Sequence, residues 1–136
     1  IILTNGIKNM KNKIMKKIYI DKINMFLDET QDYKDSIEYP SLLLKISDIL
    51  TKYALESESP KDSLMTYEFL LDKYTNYIKD FKIIEQIYSL FINTYSKIKE
   101  PKKALEIFDK LREISVNNNF KLTSLSYASI INCCSQ

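Results

Sequence analysis

The 136-residue chain has no histidine and no tryptophan, a single glycine at Gly6, three prolines and two cysteines. Each shortage removes a class of chemistry. Without histidine there is no imidazole base, no Ser-His or Cys-His nucleophile and no imidazole metal ligand. A lone glycine builds neither a phosphate-cradling loop nor a dinucleotide-binding turn. Cys133 and Cys134 are adjacent, so they offer no disulfide framework, and two thiolates without histidine cannot complete a four-ligand zinc shell. They read as small apolar fillers of a helix face. The sequence has no long uncharged apolar run, so no transmembrane span is expected. With so little glycine and proline, and no sustained alternation of apolar and polar residues, a β fold is not expected either. Glu106, Asp109 and Glu113 recur at helical spacing and read as an outer face rather than a catalytic pair, which would need a cleft to shift one pKa. The expectation is a non-enzyme with no catalytic residue, no metal ligand and no cofactor.

What the chain does contain is helical periodicity. Hydrophobic residues make up 45% and charged residues 28%, enough apolar surface for a core in an all-α domain. In IEQIYSLFINTYSK, residues Ile84, Ile87, Tyr88, Phe91 and Tyr95 fall three or four apart and share one helical face. In KKALEIFDKLREIS, residues Ala104, Leu105, Ile107, Phe108, Leu111 and Ile114 do the same, and Ala104 is small enough to admit a close neighbour. About four residues join the two segments, with Pro101 opening the second, so they should pack antiparallel. Such a pair cannot bury its apolar faces alone, and stacking on further pairs is the logic of a helical-repeat solenoid.

Signs of repetition lie on both sides. SPKDSLMTYEFLLDKY from Ser59 aligns without a gap on EPKKALEIFDKLREI from Glu100, an offset of 41 residues that matches Pro60 with Pro101, Leu64 with Leu105, Tyr67 with Phe108 and Leu70 with Leu111. Downstream, Tyr127, Ile131, Asn132 and Ser135 lie 39 residues after Tyr88, Ile92, Asn93 and Ser96. Further helices are expected from about Pro40 to Leu55, through Leu42, Ile46, Ile49, Leu50 and Tyr53, and from Pro60 to about Asn76. Asn117, Asn118 and Asn119 form a polar break, and Thr123 or Ser124 is placed to cap the last helix.

The N-terminal region reads differently. Residues 1–25 hold six lysines and one acid, Asp21, whereas residues 26–136 carry 14 basic and 17 acidic side chains. Ile7, Met10, Ile14, Ile18, Ile23, Phe26 and Leu27 keep helical spacing, so the lysines lie opposite an apolar stripe, with a turn expected at Asn5 and Gly6. Such a basic amphipathic helix suits a membrane surface, nucleic acid, a targeting segment or the solvated back of a packed helix. Asp28, Glu29, Asp32, Asp35 and Glu38 then read as an acidic loop without EF-hand spacing. The expected division is residues 1–38, a basic helix and acidic linker, and residues 39–136, about two helix pairs plus the first helix of a third. Opening at Ile1 and stopping at Gln136 inside an expected helix, the chain reads as a fragment or a processed form.

IYSLFINTYSK, KKALEIFDKL and SYASIINCCSQ together resemble the pentatricopeptide repeat family, whose helix pairs follow TYNTLIxxLCK and xEALxLFxxM. Tetratricopeptide repeats are the rival resemblance, but they usually place Gly or Ala where Ile92 stands and Ala where Leu111 stands. The resemblance implies a right-handed superhelical solenoid of antiparallel helix pairs that binds single-stranded RNA, reading about one base per repeat. It further implies an organellar setting, mitochondrion or plastid, with the cytoplasm left open, in RNA processing, stability or translation. DNA is not expected. By the same resemblance Gln86 would sandwich a base and Ser89 would bond its edge, Thr123 would support the reading, and Leu125 and Ala128 would take the first two roles in the next repeat. Gln86 lacks the usual aliphatic face, and Ala128 offers no hydrogen bond. The alternative is a protein-interaction scaffold in which the same concave surface grips a partner helix or peptide.

Overall fold

A computed structural model describes residues 2–33 and 35–135, with side chains from residue 14 onward. Among these residues the secondary structure is entirely helical: α1 (Ile2–Glu29), a 3-10 segment (Thr30–Tyr33), α2 (Tyr39–Glu56), α3 (Pro60–Thr75), α4 (Phe81–Lys97), α5 (Pro101–Asn117) and α6 (Ser124–Cys134). The chain divides into two compact units, Ile1–Lys34 and Asp35–Gln136.

The first unit departs from two expectations. The helix runs through Asn5 and Gly6 without the expected turn, because one glycine costs a helix only about 1 kcal/mol. It also continues to Glu29, so Asp28 and Glu29 lie in a last helical turn rather than a loop. No glycine or proline intervenes to stop it. It passes into the 3-10 segment at Thr30, whose hydroxyl donates to the carbonyls of Phe26 at 2.7 Å and Leu27 at 3.2 Å. Ile14 and Ile18 of the expected stripe are exposed, as are Met15, Tyr19, Met25 and Phe26. Ile7 and Met10 lie outside the described side chains.

In the second unit the expected helices form, because each carries its own start and stop. Pro40, Pro60 and Pro101 stand in the opening turns of α2, α3 and α5, where a missing N–H leaves no bond unmade. Asp80 caps α4, accepting from the Ile83 N–H at 3.3 Å, and so begins that helix at Phe81 rather than near Ile84. A chain with one glycine must also close its helices without it. α4 ends with Lys99 at φ 60, where the Lys99 and Glu100 N–H groups donate back to Ser96 and Tyr95. α5 repeats the device at Asn119, φ 55, with Asn119 and Phe120 donating to Val116 and Ser115. Both are left-handed caps of the kind glycine usually supplies.

Packing centres on α4, which contacts α2, α3, α5 and α6; α2 also contacts α3, and α5 contacts α6. Ile84, Ile87, Tyr88, Phe91 and Tyr95 are all buried, as are Ala104, Ile107, Phe108 and Leu111, whereas Leu105 is exposed. Spacing between equivalent elements is less regular than the sequence suggests. The prolines of α3 and α5 match at 41 residues, yet buried Leu64, Tyr67 and Leu71 match buried Ala104, Ile107 and Leu111 at 40, so the two helices are turned differently about their axes. The 39-residue offset does not hold. Tyr127 and Ile131 are exposed whereas Tyr88 and Ile92 are buried, and α4 and α6 begin 43 residues apart, at Phe81 and Ser124.

Relief of the left-handed strain at one helix end gives a direct test. Lys99→Gly is expected to stabilise the chain by about 0.5–1 kcal/mol. Urea unfolding followed by circular dichroism measures it, and a loss of stability would show that the Lys99 side chain does more than occupy a left-handed position.

Candidate nucleic-acid interface

Three sides of α4 are committed to packing, and they define the fourth. On the side facing the second helices of each pair, the Tyr88 hydroxyl donates to Asp72 at 3.3 Å and the Tyr95 hydroxyl to Glu68 at 3.0 Å, both acceptors on α3. Lys110 of α5 forms an ion pair with Asp72 and stands 5.9 Å over the Tyr88 ring. Burial raises both phenols well above their ordinary value, and the neighbouring carboxylates add to the effect, so these hydroxyls act as permanent donors. Burial also raises the Glu68 carboxyl, opposed by the hydrogen bond from Tyr95. These groups tie α3, α4 and α5 together.

A second side faces α6 through Glu85, which is only 3% exposed. Its carboxylate accepts from the Thr123 N–H at 2.7 Å, the Thr123 hydroxyl at 3.0 Å and the Ser126 hydroxyl at 2.5 Å. Thr123 is the N-cap of α6, and its hydroxyl oxygen also accepts from the Leu125 N–H at 3.3 Å. A negative charge at a helix N-terminus is favoured by the helix dipole, and three donors satisfy a carboxylate that burial would otherwise penalise. Glu85 therefore fixes where α6 begins and how it is turned.

What remains is a line along α4. Lys82, Asn93 and Lys97 are exposed and Gln86 is half-buried between them, and at about 100° per residue all four fall within one narrow sector. No acid lies in it. On α2, exposed Lys45 and Lys52 occupy a similar line, the latter paired with Asp48 at 3.0 Å. Glu106, Asp109 and Glu113 are exposed on α5, as their spacing implied. At the α3–α4 turn a cavity of about 220 Å³ is lined by Asn76, Lys79, Phe81, Tyr88 and Asn118 among others. Among the described residues no three His, Cys, Asp or Glu side chains group as a metal site, and no helix is long and apolar enough to cross a membrane.

The five residues singled out for RNA do not form one surface. Gln86 lies in the α4 line, but Ser89 is 3% exposed, on the same side of the helix as Glu85, and its hydroxyl is buried without a hydrogen-bond partner. No base edge reaches it there. The hydroxyl and N–H of Thr123 are given to Glu85. Leu125 and Ala128 are exposed on α6, but Leu125 is the second residue of its helix and Gln86 the sixth of α4, so the two pairs are not equivalent positions. Sequence reasoning missed Glu85 and Lys82, read Asn93 only as a repeat match, and read Lys97 only as one of a lysine cluster, with Lys99, Lys102 and Lys103, at the turn between the paired helices. The signal for the line was the set of polar residues three and four apart between the apolar ones. Glu85 gave no such signal, since its partners lie 38 and 41 residues away.

No family model matches this chain, and neither a curated protein nor a solved structure matches it.

Removing the three acceptor bonds at the head of α6 has a measurable cost. Glu85→Ala is expected to destabilise the chain by about 2–3 kcal/mol and to speed amide exchange in α6 before the rest, as followed by urea unfolding and hydrogen exchange. A second test uses pH. The raised Glu68 carboxyl binds its proton more tightly in the folded state, so its contribution to stability falls as pH rises from the usual carboxylate range through the raised value. Glu68→Gln keeps an acceptor for Tyr95 and removes that titration. The stability of the Glu68→Gln variant relative to the parent is thus expected to be greater at about pH 7 than at about pH 4, measured as the difference in urea midpoints.

Proposed function

We propose that residues Asp35–Gln136 are a helical-repeat segment of the pentatricopeptide kind, a right-handed solenoid of antiparallel helix pairs, which binds single-stranded RNA along the exposed lines of α2, α4 and α6. One observation carries this reading: the exposed side of α4 holds Lys82, Gln86, Asn93 and Lys97 and no acid. Lysines in such a line attract a phosphate backbone by releasing its counterions. The amides of Gln86 and Asn93 offer both donors and acceptors to unpaired base edges, and Leu125 offers an apolar surface for a base. Exposed Lys45 adds a positive charge on α2, where Lys52 is paired with Asp48. Recognition then rests on Gln86 and Asn93 rather than on Ser89, and an organellar role in RNA processing, stability or translation follows only from the family resemblance.

Exposed Leu125, Tyr127 and Ile131 on α6 favour a second reading, a scaffold whose partner is a protein.

Fluorescence anisotropy with short single-stranded RNAs at several salt concentrations, against single-stranded DNA of the same sequences, separates the two. Saturable binding that prefers RNA is expected, with log affinity falling linearly in log salt. The double variant Lys82→Gln/Lys97→Gln should flatten that slope by about 0.7 per lysine, and Ser89→Ala should leave affinity unchanged. Absence of binding at low salt, or binding indifferent to both lysines, would overturn the proposed surface and leave the scaffold reading.

A further inference from the structure

The cavity at the α3–α4 turn is apolar at its floor and polar at its mouth. Ile78 of the turn and Ile84 of α4 are buried in the floor, and half-buried Phe81 and Ile114 form walls, whereas Asn76, Lys79 and Asn118 stand exposed at the mouth. The two hydroxyls of the lining that are buried are committed within the protein. Tyr88 donates to the Asp72 carboxylate at 3.3 Å, and Thr75 donates to the Asp72 carbonyl at 3.3 Å. The walls are held in place. The Phe81 ring stacks on Phe120, with centroids 4.6 Å apart and planes 12° from parallel. Asn118 donates its amide to the Ile114 carbonyl at 2.8 Å, which leaves the amide oxygen as an acceptor. Among the described residues that line the cavity, Lys79 alone carries a charge. Its neighbour Asp80 is turned to the head of α4, where it accepts from the Ile83 N–H at 3.3 Å.

We infer that this pocket binds a small organic monoanion, a carboxylic acid with a compact aromatic or branched apolar body, which lies on the floor while the carboxylate meets Lys79 at the mouth. Size sets the body. An apolar cavity of about 150 Å³ takes a benzene-sized molecule, so a cavity of about 220 Å³ has room for one ring and a short carboxylate arm. Charge sets the head group. One ammonium balances one negative charge, and a dianionic phosphate would stand near Asp80 with half its charge unmatched. The Asn76 amide has N–H groups for the second carboxylate oxygen, and the Asn118 oxygen accepts from a hydroxyl or amino group where the acid carries one. Because Phe120 holds the Phe81 ring, the pocket is formed before the ligand arrives, and little ordering opposes binding. Phe81, Ile84 and Tyr88 fall about 160° round α4 from the line of Lys82, Gln86, Asn93 and Lys97, so this site is separate from the RNA surface and independent of it.

Titration of the full chain with phenylacetate, followed by amide chemical shifts in NMR, tests the site, with phenylacetamide as the uncharged analogue and acetate as the head group alone. Saturable shifts centred on residues 75–88 and 114–118 are expected with phenylacetate, weaker binding with phenylacetamide, and no saturation with acetate at the same concentrations. Lys79→Gln is expected to weaken phenylacetate by about tenfold, the worth of one charge-assisted hydrogen bond, and to leave phenylacetamide unchanged. Ile114→Phe places a ring in the pocket and should abolish binding of both, with circular dichroism showing that the helices persist. Absence of saturable shifts with phenylacetate would overturn the inference, as would an affinity that either substitution leaves unchanged. Lys82→Gln, on the far side of α4, should have no effect. A loss there equal to that of Lys79→Gln would reduce the attraction to overall charge and overturn the local site.

Discussion

Burial of α4 on three sides is the constraint from which the second unit is built. A 17-residue helix in contact with four others has to be apolar or internally satisfied almost everywhere, and only one narrow line of it can carry free polar groups. That line is Lys82, Gln86, Asn93 and Lys97. The arrangement explains why a helix that buries so many apolar residues also supplies a continuous polar line: the same helical period that drives some positions inward turns the remaining ones out together.

Polar groups inside the packing do a different job from those outside. Asp72, Glu68 and Glu85 are carboxylates close to or within the core, and each meets hydroxyl, ammonium or amide donors from another helix. Apolar contacts are non-directional, so they permit a helix to turn about its axis, whereas a carboxylate held by donors from a neighbouring helix permits one arrangement. α6 shows this most clearly. It carries no charge of its own, and its start is fixed by Glu85 of another helix.

Much of the fold is legible in the sequence because its cues are local. Prolines at the openings of α2, α3 and α5, the apolar period of α4 and α5, the three asparagines and the cap at Thr123 all act within a few residues of chain. Weak cues mislead. Gly6 suggests a turn and the acids from Asp28 a loop, but helix formation is cooperative, and neither a single glycine nor exposed acids end it. The repeat is legible as two matched helices and not in its register: Tyr127 and Ile131 resemble Tyr88 and Ile92 in type, but they are exposed where those are buried.

By itself the sequence determined that the chain is helical, where most of its helices open and close, which apolar residues of α4 and, Leu105 and Ile114 apart, of α5 form the core, and that neither histidine nor glycine-loop chemistry is available to it. Those properties depend on composition and on neighbours three or four residues apart. Tertiary structure decided that Ser89 is buried, that Thr123 serves Glu85, that α3 and α5 are turned differently, and that Tyr127 and Ile131 lie open on α6. Each of these depends on residues far apart in the chain meeting in space, and no local period records which side of a helix another helix will cover.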